Sequence, residues 1–360
     1  MTSSITQTMW ITMEKEIQEL MAVWPDVVHD ITEVITNLNI PDVDKWLEKV
    51  LQYNVPGSKK LYTLLLVYAY KSLIPNEQLT EDNIRLVRIL AWCMEMTIAY
   101  LLIIDDILDQ SSFRRGQPCW YRYSNIGLMA VNDSLLLQSA VYYLIQKHFK
   151  GKECYIKLVE TFQDATFKTQ IGQCLDMYST KFNKKPNNSI NLNQFTINYY
   201  RSIIKYKTYL SVVSINAAMH FAGIKNPEMF KQSKTIVLET GYLYQIQDDY
   251  LSCFGNFETL LKNSTDIEEG KCTWLVVTAL QRVTPEQRKI LEECYGVSDP
   301  DKVKRVKQLF IDIDLPNIYF TYEKEIYDQL RERISKSCKL LHNLFFGFLE
   351  KIYHRQNCHF

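Results

Sequence analysis

Two pairs of adjacent aspartates, each at the end of a long apolar stretch, constrain the fold of this chain more than any other feature. Asp105 and Asp106 begin the sequence DDILD, and Asp248 and Asp249 begin DDYLS; no other Asp-Asp pair occurs in the 360 residues. Residues i and i+4 project from one face of a helix, so Asp105 and Asp109 can present oxygens together to a hard cation. Unpaired charge at the end of an apolar helix is costly unless it faces a cation or an open cavity. Two such helices facing each other therefore predict a site for two or three Mg²⁺ ions and a diphosphate.

The remaining sequence predicts an all-α protein. Only 11 glycines and 10 prolines occur, and apolar residues recur at spacings of three and four residues nearly throughout. This periodicity is typical of helices joined by short connections, and long helices of this kind can enclose one cavity. No repeat or linker divides the chain, so a single helical domain over 1–360 is expected. We predict an irregular polar loop over 111–123 and long helices over 83–109, 128–149, 152–180, 193–221, 227–252 and 271–295, with further helices in 9–53, 61–70 and 299–355.

Charge and hydropathy argue against certain partners, and the cysteine content indicates the cellular compartment. The 41 basic and 41 acidic side chains balance, which argues against a nucleic acid or an anionic membrane as the partner. The longest apolar stretch, Ile89 to Ile104, contains Glu95 and is shorter than the roughly 20 residues that span a bilayer, so no membrane span is predicted. The nine cysteines form no CxxC pair and are odd in number, which is typical of reduced thiols. With no secretory or Arg-rich leader pattern, a cytoplasmic location is expected.

Short motifs run in order along nearly the whole chain. They are Tyr53–Lys59, Asp105–Tyr121, Gly172–Asp176, Tyr206–Thr208, Gln245–Tyr250, Thr265–Ile267 and Lys271–Trp274. This series resembles the trans-isoprenyl diphosphate synthase family, and within it the insect farnesyl diphosphate synthases and the terpene synthases derived from them. The resemblance implies the all-α terpenoid synthase fold, a deep hydrophobic cavity between the two acid clusters, three Mg²⁺ ions and a homodimer.

The same resemblance implies roles for the acidic residues. Asp105, Asp109 and Asp248 match metal ligands of the family, and Asp106 and Asp249 match residues that support them. Cations facing the diphosphate would offset the charge that develops as its C–O bond breaks. The residues that match such cations near the allylic diphosphate are Arg114, Lys207, Lys262 and Lys271.

Other matching residues lie along the path of the prenyl chain. Thr208 and Gln245, together with Lys207, match positions close to the reacting carbon. Tyr100 and Leu101 match the two bulky residues that close a farnesyl-length cavity. Gln173 matches a residue of the cavity wall. The resemblance therefore implies a substrate of 15 carbons or fewer, and farnesyl diphosphate is favoured over geranyl diphosphate.

Two departures from the family pattern affect the site for a second substrate, isopentenyl diphosphate. Lys59 and Arg115 of that site are kept, whereas Tyr62 stands where an arginine is expected and Ile98 where a glutamine is expected. The charge-assisted hydrogen bonds that the missing arginine and glutamine would form with a diphosphate are worth about 1.5–3 kcal/mol each. We therefore expect weak binding of the second substrate. The expected activity is that of a terpene synthase, a carbon–oxygen lyase that ionises farnesyl diphosphate and cyclises the cation to a sesquiterpene with release of diphosphate.

Two other interpretations stay open at the level of sequence. The chain could be a prenyltransferase that still condenses isopentenyl diphosphate with an allylic diphosphate, using Lys59 and Arg115. It could also be a non-catalytic partner subunit of a prenyl synthase. Against the second, such a subunit would have no physical need for the carboxylates of the first cluster or for the cations that match the diphosphate site.

Overall fold

The computed structural model describes residues 13–185, 189–255 and 265–353, and helices dominate them, which confirms the predicted all-α class. The long and short α-helices are α1 (Met13–Asn37), α2 (Pro41–Asn54), α3 (Leu61–Leu73), α4 (Glu81–Leu108), α5 (Met129–Phe149), α6 (Tyr155–Met177), α7 (Ile197–Lys207), α8 (Ser211–Phe221), α9 (Pro227–Phe254), α10 (Asp266–Glu269), α11 (Trp274–Leu280), α12 (Pro285–Cys294), α13 (Pro300–Asp312), α14 (Leu315–Ser335) and α15 (His342–Tyr353). Short 3₁₀ turns lie at Asn76–Gln78, Trp120–Asn125, Leu192–Gln194 and Lys339–Leu341.

Helix α4 lies at the centre of the bundle and carries the first acid cluster at its end. Its start is capped by the side chain of Thr80, which accepts a hydrogen bond from the Asn83 amide, and no Gly or Pro interrupts its 28 residues. It packs against α1, α3, α5 and α8. By length and composition α4 could cross a membrane, but 72% of its most apolar 18-residue stretch is buried inside the bundle. Its apolar character is therefore that of a core helix.

The helix predicted over 193–221 is broken in the middle. Helix α7 ends at Lys207 and α8 begins at Ser211, so Thr208 to Leu210 form a turn. Gly172 on α6 packs directly against the backbone at this break, since a Cβ there would lie 2.3 Å from the Lys207 amide nitrogen. The break thus depends on a neighbouring helix and has no Gly or Pro of its own.

Three further details differ from the predicted elements. The helix predicted over 271–295 is two helices, because Pro285 starts α12 and Thr284 forms a capping box with Gln287. The predicted irregular loop contains a small antiparallel hairpin, β1 (Phe113–Arg114) with β2 (Gln117–Pro118). Arg115 and Gly116 at its tip both have positive φ, as a two-residue hairpin turn requires. Helix α6 continues as a π-helical turn, Tyr178–Phe182.

Candidate active site

A cavity of about 830 Å³ lies between α4, α5, α6, α7, α9 and the segment 265–273. It gathers most of the residues that the sequence predicted to act together. Those that line it are Ile98, Tyr100, Leu101, Asp105, Asp109, Arg114, Gln173, Lys207, Gln245, Asp248, Asp249 and Lys271. The predicted site residues that do not line it are Lys59, Tyr62, Asp106, Arg115 and Thr208. Lys262 lies outside the described residues.

The first acid cluster is tied to the hairpin by Arg114. The Arg114 Nε donates to Asp106 Oδ1 at 2.9 Å, and its Nη2 lies 3.3 Å from Asp105 Oδ2. Burial raises the pKa of the Asp106 carboxyl above its usual value, and the Arg114 charge opposes that rise. Asp106 therefore anchors Arg114 in place, and Asp105 is the acid of the pair that lines the cavity.

Lys271 connects the first cluster to the segment that follows the second. Its Nζ lies 2.6 Å from Asp109 Oδ2, 3.3 Å from Glu269 Oε2 and 3.9 Å from Asp266 Oδ1. Burial alone would lower the pKa of Lys271, but these carboxylates and Asp176 raise it well above its usual value. Lys271 is thus a partly buried, charged ammonium held among acids at the cavity surface.

Lys207 is a second partly buried ammonium on the same cavity. It is the last residue of α7, and its Nζ donates to Asp176 Oδ2 at 2.5 Å. Burial opposes its charge, yet Asp176 and Asp105 raise its pKa above the usual value. The break between α7 and α8 therefore places a fully charged lysine opposite the first acid cluster.

The two acids of the second cluster have different surroundings. Asp249 accepts hydrogen bonds from the Tyr200 hydroxyl at 2.7 Å, the Trp274 amide at 2.8 Å and the Gln245 amide at 2.9 Å. Burial raises the pKa of Asp249 to about 7, which those three donors oppose. Asp249 thus joins α7, α9 and α11, and it orients Gln245. Asp248 lines the cavity one turn before Ser252.

The acid set has the chemistry of a magnesium site that is shared with a substrate. Within the described ranges, no three His, Cys, Asp or Glu side chains converge closely enough to form a complete metal site. Mg²⁺ usually takes one or two carboxylates, keeps several waters and accepts phosphate oxygens for the rest. The carboxylates of Asp105, Asp109 and Asp248, all on the cavity surface, fit that requirement.

Arg115 lies beside a separate, smaller pocket of about 30 Å³, which it shares with Arg114 and Asp106. Its Nη1 donates to the Asn54 carbonyl at 3.0 Å. Lys59 is exposed and lies on the turn that precedes α3, five residues after Asn54. The two retained cations of the expected second site thus lie outside the main cavity.

Glu95 is a buried acid next to the turn that carries Lys59, and the sequence analysis did not single it out as a candidate. It is buried on α4 and accepts hydrogen bonds from Ser58 and Thr63, which flank Lys59 and Lys60. Its charge also acts on Arg115. The sequence contains a signal that could have indicated it: Glu95 is the only charged residue in the apolar stretch from Ile89 to Ile104.

Tyr62 lies next to aromatic rings from two other helices. Its ring centroid lies 5.8 Å from that of Phe348 on α15 and 6.3 Å from that of Tyr244 on α9. Tyr62 therefore contributes to packing between α3, α9 and α15. Ile98, the other departure from the family pattern, lines the main cavity.

Comparison with known proteins identifies the family. Residues 44–313 match the family model described as polyprenyl synthetase. A farnesyl pyrophosphate synthase of Murgantia histrionica is 46% identical over 342 residues, covering 94% of this chain and 82% of that protein. One from Gallus gallus is 40% identical over 350 residues, covering 96% and 94% respectively. A solved structure of T. brucei farnesyl diphosphate synthase complexed with risedronate has a TM-score of 0.87 and 27% identity, covering 94% of this chain and 99% of that one.

These relatives contradict the predicted terpene synthase. They are named as synthases of a prenyl diphosphate and match this chain over most of its length, so the prediction of a carbon–oxygen lyase is wrong. The prediction rested on Tyr62 and Ile98, whereas Lys59 and Arg115, which match the family's site for a second diphosphate, are both present. By its match over most of its length, the chain belongs to the polyprenyl synthetase family.

Proposed function

We propose that this protein is an isoprenyl diphosphate synthase that joins isopentenyl diphosphate to an allylic diphosphate and makes farnesyl diphosphate. The cavity carries the proposal. Along α4 its wall changes from Ile98 and Leu101 to Asp105 and Asp109 within about 17 Å, given 1.5 Å per residue. A prenyl diphosphate has the same polarity, with a hydrocarbon chain at one end and a multiply charged group at the other. The names of the relatives support the same reaction.

Asp105, Asp109 and Asp248 would hold Mg²⁺, and the resemblance to the family implies three ions. Bound there, Mg²⁺ would neutralise the charge of the diphosphate and so make it a better leaving group. The three residues reach the cavity from the ends of α4 and α9, so they can share a ligand that lies between these helices.

The cations of the site are positioned before substrate binds. Arg114, Lys207 and Lys271 are each held by a carboxylate, and each lines the cavity. Such preorganised charges stabilise a leaving diphosphate without reorganising during the reaction. As the allylic C–O bond breaks, its electron pair leaves with the diphosphate, and the isopentenyl double bond supplies the electrons of the new C–C bond. The diphosphate can then accept the proton that the product cation loses.

Lys59 and Arg115 would bind the second diphosphate. Glu95 supports this assignment, because it is buried beneath the turn that carries Lys59 and its charge acts on Arg115. With Tyr62 and Ile98 in place of an arginine and a glutamine, fewer charged contacts are left. We therefore expect a higher KM for isopentenyl diphosphate than a site with both groups would give.

The proposal is tested by incubating purified protein with Mg²⁺, geranyl diphosphate and labelled isopentenyl diphosphate and separating the products by liquid chromatography and mass spectrometry. Farnesyl diphosphate should accumulate only when both substrates are present.

In the same assay, Arg115→Gln should raise KM for isopentenyl diphosphate about tenfold and change KM for geranyl diphosphate by less than about twofold, since a charge-assisted hydrogen bond is lost from one site only. Arg305→Gln, at an exposed arginine on α13, is the matched control. Absence of any condensation product with either geranyl or dimethylallyl diphosphate would overturn the proposal.

We also propose that the protein is a homodimer. Four exposed apolar side chains cluster at the start of α5: Leu128, Met129, Val131 and Leu135. A second copy that covers this face would remove them from water, as at most homodimer contacts. Light scattering on the eluted protein should give twice the 42.4 kDa of one chain, and Leu135→Lys should shift the mass towards that of one chain. A wild-type mass of 42.4 kDa at micromolar concentration would exclude the dimer.

A further inference from the structure

We infer that Thr166 on α6 sets the length of the prenyl chain that the cavity accepts, by holding the side chain of Tyr100 in place through a hydrogen bond. The inference rests on the proposed function and deepens it. Thr166 does not line the cavity, so it is a positioning residue that acts through Tyr100, which does.

Tyr100 is fixed at both its backbone and its hydroxyl. The Tyr100 hydroxyl lies 2.8 Å from Thr166 Oγ1, across the space between α4 and α6. The Ser134 hydroxyl on α5 donates to the Tyr100 carbonyl at 3.0 Å. Tyr100 and Thr166 are 3% and 4% exposed, so no bulk solvent competes for this bond. The Tyr100 side chain therefore bridges two helices that form opposite parts of the cavity wall.

The position of Tyr100 makes this bridge relevant to chain length. It precedes Asp105 by five residues, which places it about 7.5 Å along the helix from the acid cluster. Moving the ring aside would break the bond to Thr166 and leave a buried hydroxyl without that partner, which is unfavourable. A prenyl chain that extended past Tyr100 would have to displace the ring and break this hydrogen bond. The chain should therefore stop growing when its methyl end reaches the ring.

The surroundings of the bridge are polar, which reinforces the stop. The polar side chains of Gln138 and Tyr142, both on α5, lie close to the Tyr100 and Thr166 hydroxyls. A hydrocarbon chain that entered the space between these polar side chains would separate polar atoms from their partners. No sequence motif pointed to Thr166, because it stands as one threonine on a helix with several polar residues.

Thr166→Val tests the inference because valine keeps the shape of threonine and removes the hydroxyl. With excess isopentenyl diphosphate, the ratio of C20 to C15 product should rise about fivefold over wild type, the factor expected when one hydrogen bond of ordinary strength is lost. Thr166→Ser should restore the wild-type ratio. Tyr100→Phe should raise the ratio by the same factor, and the double variant should add nothing further, because both changes remove one bond.

Thr161→Val is the matched control, since it makes the same substitution on the same helix at a residue that does not line the cavity. The Thr161 hydroxyl donates to the Lys157 carbonyl of its own helix at 2.7 Å. Its removal should leave the product ratio unchanged. A fivefold rise in this variant too would mean that loss of a hydroxyl from α6, and not loss of the Tyr100 bridge, changes the ratio, and would overturn the inference.

A binding measurement separates this inference from the proposed function. Thr166→Val should bind geranylgeranyl diphosphate about fivefold more tightly than wild type and bind farnesyl diphosphate with unchanged affinity. If wild type condenses its substrates and Thr166→Val gives neither change, the inference is wrong and the proposed function stands. If wild type forms no condensation product, the proposed function fails, and the ratio of the two affinities alone decides whether Thr166 limits chain length.

Discussion

Asp105→Asn is expected to lower kcat/KM for condensation by about 10³, which corresponds to about 4 kcal/mol of lost transition-state stabilisation. Asparagine has the shape of aspartate but not its charge, so it binds Mg²⁺ poorly. The fold should survive, because Arg114 keeps its hydrogen bonds to Asp106 when Asp105 is neutral. The loss should fall mainly on kcat and should be partly recovered at high Mg²⁺. Steady-state rates over a series of Mg²⁺ concentrations measure both effects.

Asp164→Asn serves as the control for that experiment. Asp164 is an exposed residue of α6 that pairs with Lys168 at 2.7 Å, and neither residue lines the cavity. Its replacement should leave kcat/KM within about twofold of wild type, as is usual for surface substitutions. If Asp105→Asn were as active as this control, Asp105 would not be a metal ligand. If the wild-type chain were inactive alone but stimulated a prenyl synthase, and Asp105→Asn did so equally well, the chain would be a partner subunit.

Helices and acid clusters could be predicted from the sequence because both depend on local spacing. The three- and four-residue periodicity fixed α4 and α9 to within a few residues, and the DDxxD spacing placed Asp105 and Asp109 on one cavity surface. The all-α class followed from the same pattern. The matches of Lys207 and Lys271 to the family also placed these lysines at the cavity.

Features that depend on contacts between distant segments could not be predicted. The break after Lys207 is not marked by any Gly or Pro at that position; it is accommodated by Gly172, 35 residues earlier. The three donors to Asp249 come from three different helices, so its role as an anchor between them was invisible in the DDYLS motif. Thr166 acquires its significance only from a hydroxyl on another helix.

The reaction class was the part that the sequence analysis assigned wrongly. The terpene synthase prediction rested on weak binding of a second substrate, which Tyr62 and Ile98 together indicated. In the structure Tyr62 packs between aromatic rings, and Glu95 organises the turn that carries Lys59. The match to farnesyl pyrophosphate synthases over most of the chain, and not these two positions, decides the reaction class.

Gly172→Ala is expected to destabilise the protein by about 3 kcal/mol, because α6 packs backbone to backbone against the end of α7. A Cβ at position 172 would lie 2.3 Å from the Lys207 nitrogen and 2.6 Å from the Tyr206 carbonyl carbon, and neither backbone atom can rotate away. Overpacking of this kind usually costs 1–3 kcal/mol, and contact with backbone favours the upper end of that range. The gain of about 1 kcal/mol in helix propensity from Gly to Ala is too small to compensate. Denaturant unfolding followed by circular dichroism measures the loss.

Gly241→Ala on α9 provides the graded comparison, since Gly241 faces the same break from the other side. A Cβ at position 241 would lie 3.0 Å from the Thr208 Cβ and 3.1 Å from its Oγ1, so a shift of a few tenths of an ångström relieves the contact. Its loss of stability should be about 1 kcal/mol or less, partly because alanine favours the helix. Gly172→Ala should also lower kcat, since displacing the end of α7 moves Lys207 away from Asp176, whereas Gly241→Ala should keep most of the activity. Equal unfolding midpoints for Gly172→Ala and wild type would show that α6 and α7 separate easily, and that close packing at Gly172 is not what positions Lys207.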